Sequence, residues 1–265
     1  MKKIILISIF LLIPQVVLAG VISLTTTVTT DIMTENATSV RVRLLNSGDE
    51  SAHNVQVSLI TDNFQSNPIF VGDLSPDNPF EGEFTLGLTK EILLGTYPLI
   101  VLVDYADANG YPFSSVSPTS IVYKTPTVSR VSGVMQELSL TGKETKTLTL
   151  TIRNLDDLSH DVDVKLILPR ELKVTGDEKV ISIQPKEEEE LCFQVSSFSA
   201  LPGSSYVVLA SIEYDHDNSH YSSITRGMIN IGEGDSSFLP DWLPYVGIIA
   251  LAGIFIFYQF KGKKK

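Results

Sequence analysis

The chain has 265 residues, 20 of them basic and 31 acidic, for a net charge of −11, and a single cysteine, Cys192. One cysteine excludes an intrachain disulfide, so stability must come from core burial. All the acidic residues and only 14 of the basic ones fall in 20–241, which carries −17 and disfavours nucleic acid and anionic lipid as partners.

In chain order, Lys2 and Lys3 precede a nearly continuous apolar run, Ile4–Leu18, which ends in Val17-Leu18-Ala19. A basic start, an apolar centre and small residues at the end make 1–19 a signal peptide, with cleavage expected after Ala19. The competing reading is an uncleaved anchor, which Pro14 and Gln15 oppose by interrupting a run already short for spanning. Position 21 is Val, not Cys, which argues against an N-terminal lipid.

The region 20–232 repeats itself once. Ser39–Asn46 matches Thr147–Asn154, His53–Ile60 matches His160–Ile167, and Leu74-Ser75-Pro76 matches Ile183-Gln184-Pro185. Gly82–Leu86 matches Leu191–Val195, and Tyr97–Tyr105 matches Tyr206–Tyr214; the offset stays within 107 to 109 residues throughout. Five segments in one order predict two copies of one domain, 20–124 and 126–232. Within each copy apolar residues alternate with polar ones, as in Val40, Val42 and Leu44 or Leu148, Leu150 and Ile152, which is the period of a strand with one buried face. Turn residues separate these runs, and Ala108-Asn109-Gly110-Tyr111 carries the strongest hairpin signal. About seven strands per copy are expected, so the fold class is all-β: two tandem immunoglobulin-like β-sandwiches, without the Cys and Trp marks of antibody domains. Lys124–Thr127 is too short a linker for independent domains.

After a polar stalk at 233–241, Trp242–Phe260 is an uncharged apolar run of 19 residues, about 28 Å as a helix and so long enough to span a membrane. Trp242, Tyr245 and Tyr258 are placed for the two interfaces, and the basic tail 261–265, with Lys261 and Lys263 nearest the run, is expected on the cytoplasmic side.

Chemistry-bearing patterns are sparse. There is no nucleophile elbow, phosphate loop, zinc-protease pair or dinucleotide fingerprint, and no enzyme is expected. No cofactor is expected, but the acidic tips invite a calcium reading, and His216 and His220 with Asp215 and Asp217 a metal one: Asp104, Asp107 and Asn109 lie near one tip, and Asp215 and Asp217, with Glu213 and Asn218, near its repeat counterpart. Solvated turn residues are the competing reading. His216 and His220 flank that second tip, and His53 and His160 are equivalent in the repeat alignment. Cys192 follows the acidic run Glu187–Glu190, which disfavours a reactive thiolate. Asn36-Ala37-Thr38 is a glycosylation sequon, making Asn36 a modification candidate.

Leu44-Leu45-Asn46-Ser47-Gly48 followed by Asn54-Val55-Gln56-Val57 resembles the Asn-x-Gly and alternating-strand signature of the CARDB and NEW3 type sandwich domains. Gly95-Thr96-Tyr97 followed by Val103–Gly110 resembles their later hairpin. The second copy departs from the pattern, with Asp156-Asp157 where the glycine stands in the first. The resemblance implies an archaeal S-layer-related surface protein and carries over no catalytic residues. Its expected role is a membrane-anchored ectodomain for adhesion, envelope structure or binding of an envelope protein or polymer. The alternative is an accessory subunit whose partners are the other subunits of a membrane transport or secretion complex.

Overall fold

The computed structural model describes residues 20–233 and four helical residues beyond them, Tyr245, Val246, Ile249 and Gly253. The expected signal peptide, and the expected span and tail apart from those four residues, lie outside the described residues, so Trp242, Tyr258, Lys261 and Lys263 do too. Among the described residues no helix is long and apolar enough to cross a membrane.

Residues 20–233 are all-β. The first half contains β1 (Leu24–Thr30), β2 (Ala37–Asn46), β3 (Ala52–Ile60), β4 (Phe64–Gln65), β5 (Ile69–Leu74), β6 (Phe80–Leu88), β7 (Leu94–Ala106) and β8 (Pro112–Tyr123). They form one sheet in the order β1-β2-β6-β4 and another in the order β5-β3-β7-β8. The second half contains β9 (Val131–Met135), β10 (Leu138–Thr141), β11 (Thr145–Asn154), β12 (His160–Ile167), β13 (Leu172–Thr175), β14 (Glu178–Ile183), β15 (Glu188–Ser197), β16 (Ser205–His216) and β17 (Ser219–Gly232). Its sheets run β13-β15-β11-β9 and β14-β12-β16-β17, with β10 parallel to β17. Eight and nine strands replace the expected seven, because short segments such as β4 and β13 extend the sheets.

Alternation places the cores. Val40, Val42 and Leu44 lie beside Phe84 and Leu86 on the inner face of one sheet in the first core, and Leu148, Leu150 and Ile152 beside Phe193 and Val195 in the second. The strands pair in matching register, Val40 opposite Phe84 and Leu148 opposite Phe193. A buried asparagine closes each copy. Asn46 Nδ2 donates to the carbonyls of Glu50 (2.7 Å) and Leu74 (3.2 Å). Asn154 Nδ2 donates to those of Leu158 (2.8 Å) and Gln184 (3.0 Å). Each side chain thereby satisfies turn carbonyls that would otherwise be buried unpaired. Gly48 differs from its counterpart Asp156 for a steric reason: a Cβ at Gly48 would stand 1.9 Å from the Val21 carbonyl oxygen, where the N-terminal segment crosses.

One repeat equivalence fails. His53 does not occupy the position of His160, because β3 carries a bulge between Ala52 and Val55 with Asn54 at φ 53°. The extra residue puts Ala52, not His53, on the inner face. Ala52 pairs with Leu74 as His160 pairs with Ile183.

The two halves are joined by more than the linker. Ile100 and Leu102 on β7, Val116 on β8, Ile167 on β12 and Leu209 on β16 form a third buried apolar cluster between the halves. β7 is therefore buried on both faces over Leu99–Val103, and β16 over Val208–Ile212. Polar contacts reinforce the seam. Glu171, only 2% exposed, accepts from the Ser114 amide (2.5 Å) and hydroxyl (2.6 Å) across it. Arg170 pairs with Asp104 at 2.8 Å and Lys165 with Asp62 at 2.8 Å. At one end β17 and β7 join as parallel neighbours, Ser219 opposite Leu94 and His220 opposite Gly95. Gly95 (φ 150°) is required there, since a Cβ would lie 2.1 Å from the His220 carbonyl oxygen.

Candidate functional site

Beside that junction the outer face of the second domain's sheet meets the first domain across a cleft of about 740 Å³. Strand alternation builds its floor. Asp161, Asp163 and Lys165 project from one face of β12. Asp163 stands opposite Glu213 on β16, and Asp215 stands opposite His220 on β17, so these residues share that face. The first domain contributes the far wall, including Asp62, Glu91 and Tyr97.

His220 is the centre of the site. It is only 8% exposed, and its ring stacks on Tyr97 at 3.9 Å with an interplanar angle of 4°. Nδ1 lies 2.8 Å from Asp215 Oδ1. Nε2 lies 3.2 Å from Glu213 Oε2, within ion-pairing distance but without hydrogen-bond alignment. The His220 carbonyl accepts from the Thr127 hydroxyl at 2.6 Å, tying β17 to the linker. Burial opposes charge on the imidazole, but the hydrogen bond to Asp215 and the negative charges of Glu213 and Asp215 outweigh it and raise its pKa above the ordinary histidine value. Asp163 is also raised, first by burial and then by the neighbouring charges of Glu213, Asp215 and Glu178. Burial, with Asp215 and Glu213 nearby, pushes the Tyr97 phenol upward as well; its hydroxyl donates to the Leu93 carbonyl at 2.7 Å.

The calcium candidates do not converge. Asp107 Oδ1 accepts from the amides of Asn109 (2.9 Å) and Tyr111 (2.8 Å), which holds the β7–β8 turn and lowers its pKa, the Tyr111 bond most. Asp104 points instead to Arg170. Asp215 belongs to His220, and Asp217, at the β16–β17 tip with φ 46°, lies 3.3 Å from His216. Among the described residues no group of three or more His, Cys, Asp and Glu side chains is placed to hold a metal ion. Asn36 is exposed just before β2. Cys192 is exposed on β15. His160 is buried against Asp156 (3.1 Å) and the Tyr214 ring.

Asp161, Asp163 and Tyr97 were not among the sequence candidates. Their signal is the polar alternation Asp161-Val162-Asp163, matched by Glu213-Tyr214-Asp215, which becomes a shared carboxylate face once β12 and β16 are neighbours.

No protein-family model matches the chain, and no curated protein matches it significantly. Among solved structures, the native conformation of E. coli alpha-2-macroglobulin is 14% identical with a TM-score of 0.34, over 79% of this chain and 17% of that one. A protein of unknown function from Porphyromonas gingivalis is 12% identical with a TM-score of 0.31, over 78% of this chain and 99% of that one. The YadV chaperone is 13% identical with a TM-score of 0.30, over 76% and 98%. The chain thus spans under a fifth of the macroglobulin it matches, and likenesses at this level carry no functional assignment.

Proposed function

We propose that this chain is a non-enzymatic, membrane-anchored surface protein whose two immunoglobulin-like sandwiches work as one rigid ectodomain and bind a partner in the cleft at their junction. The observation that carries this reading is the apolar cluster of Ile100, Leu102, Val116, Ile167 and Leu209 between the halves. Flexible tethering would leave these side chains in water, at a cost of roughly 1.5–3 kcal/mol for each fully exposed one. Rigid union keeps the cleft in a fixed shape, which lowers the ordering cost of binding. Anchoring is supported by the apolar, uncharged run Trp242–Phe260 followed by Lys261, Lys263, Lys264 and Lys265, and export by the apolar leader before Gly20. The cleft lining contains carboxylates, lysines and His220 but no Ser, Thr or Cys nucleophile, which favours binding over acyl transfer.

The direct test is topology in cells. The mature protein should begin at Gly20, and protease added to intact cells should remove the ectodomain while sparing a C-terminal tag. An N-terminus at Met1, or an ectodomain protected from external protease, overturns the reading.

A further inference from the structure

The strand that leads toward the apolar run 242–260 fixes which end of the sandwiches lies near it. β17 runs from Ser219, beside the cleft, to Gly232, roughly 40 Å away along the strand at about 3.3 Å per residue. From Glu233 to Trp242 the chain takes nine steps, a reach of about 32 Å at most. With 242–260 as the anchor, contact between this end and the bilayer is intramolecular, and weak contacts suffice to hold it. The second sandwich closes at this end with the loops 142–144, 168–171 and 198–204, as the pairing of Thr141 with Gly232, Thr145 with Ser196 and Ser205 with Asn230 requires.

The longest of these loops, Phe198-Ser199-Ala200-Leu201-Pro202-Gly203-Ser204, carries no charge in an otherwise acidic region. Its backbone is held on several sides. The Phe198 and Ser199 amides donate to the Glu171 carbonyl (2.8 and 3.1 Å), the Gly203 amide to the Ile231 carbonyl (2.8 Å) and the Leu201 amide to the Tyr206 hydroxyl (3.2 Å). The Tyr111 hydroxyl braces the loop against the first sandwich by donating to the Ser199 carbonyl at 2.5 Å. So held, the loop keeps the Phe198 ring out of the core, 60% exposed, with Lys173 Nζ 3.7 Å from the ring centroid. An apolar ring beside a long-stemmed cation suits a lipid headgroup layer, where the ring reaches the acyl boundary and the ammonium the phosphates. Charge is polarised in the same sense. Lys146 and Arg170 pair with Glu144 and Asp104, while Lys143 and Lys173 are exposed and pair with no carboxylate among the described residues. At the opposite end the loops 155–159, 184–187 and 217–218 carry Asp156, Asp157, Glu187 and Asp217 against Lys186 alone. The turns of the first sandwich on the Gly232 side carry Asp49, Glu50, Asp77 and Asp107, which leaves the seat to the second. We infer that Phe198, Leu201 and Pro202 form a lipid-contact surface, set into the headgroup layer of the bilayer that holds 242–260, with Lys143 and Lys173 on its phosphates. This stands the cleft, at the far end of β17, away from the membrane and open to an outside partner. It rests on the reading of 242–260 as the anchor.

The test reads lipid contact from a single tryptophan, since Trp242 is the only one in the chain. Full-length Phe198→Trp with Trp242→Phe is placed in phosphatidylcholine nanodiscs, with and without bromine on the acyl chains near the headgroup. The tryptophan at position 198 should lose most of its emission in the brominated discs. Leu155→Trp with Trp242→Phe, an exposed position at the opposite end, should lose none. Adding Lys143→Glu and Lys173→Glu, both solvent-facing, should restore most of the emission at position 198. No quenching at position 198, equal quenching at position 155, or quenching indifferent to the two lysines overturns the inference. A blue-shifted but unquenched emission at position 198 also overturns it, because the ring is then covered by protein and not by lipid. A chain that does not enter the discs removes the anchor reading and this one with it; a chain that enters with position 198 unquenched removes this one alone.

Discussion

Leu209→Ala tests the seam between the domains without entering either inner core. Leu209 is fully buried and belongs to the cluster of Ile100, Leu102, Val116 and Ile167, while its neighbours Val208 and Ala210 point to the second domain's own core. Truncating a buried leucine costs about 2–5 kcal/mol, depending on how far the cavity collapses. Set against the roughly 5–15 kcal/mol that stabilises a domain, that loss is large, and it falls on the coupling between domains. Scanning calorimetry of the full chain should show one transition for the wild type. Leu209→Ala should split it into two, the domains now melting separately. Phe193→Ala, which cuts into the second core instead, should destabilise that domain by about 3–5 kcal/mol and lower the stability of the first only through the seam. A Leu209→Ala protein that melts in one transition at the wild-type midpoint would refute the seam as a source of cohesion.

Asn46→Ala and Asn154→Ala should cost similar amounts, about 1–3 kcal/mol each, because each removal strands buried turn carbonyls; urea unfolding measures both, and a negligible effect at either site would break the equivalence of the two copies. The pH dependence follows from His220. Its pKa is raised in the folded state, so the stability it contributes is complete below about pH 6.5 and is lost as pH rises through the folded value. The groups facing it are Glu213 and Asp215 from β16, Asp163 from β12 and the Tyr97 ring from β7. Unfolding midpoints measured across this range should fall for the wild type and stay flatter in His220→Gln; identical profiles would exclude His220 as the titrating group.

Much of the fold was legible because period-two alternation is a direct record of burial. Val40, Val42 and Leu44 read correctly as an inner face, and so did Leu148, Leu150 and Ile152. The Asp107–Gly110 turn declared itself through Asn109 and Gly110, the latter at φ 78°. The bulge at Asn54 was hidden because a sequence alignment keeps His53 beside His160, whereas a backbone can absorb one residue without disturbing Val55 or Val57. The seam was present as unbroken apolar runs, Leu99–Val103 and Val207–Ala210, which mark strands buried on both faces. The cleft was only half visible. Asp215 and His220 stand out as a loop-flanking pair, but Asp163 and Tyr97 reach them through strand neighbours and a domain contact that no local spacing encodes.

The cleft requires that the two domains hold one fixed arrangement. Spin labels at Arg41 on β2 and Gln194 on β15, both exposed, would be introduced into a Cys192→Ser background and the distance between them measured by pulsed electron resonance. A single narrow distance distribution, unchanged by salt, is predicted; a broad distribution spanning many separations would contradict the single rigid unit on which the cleft depends.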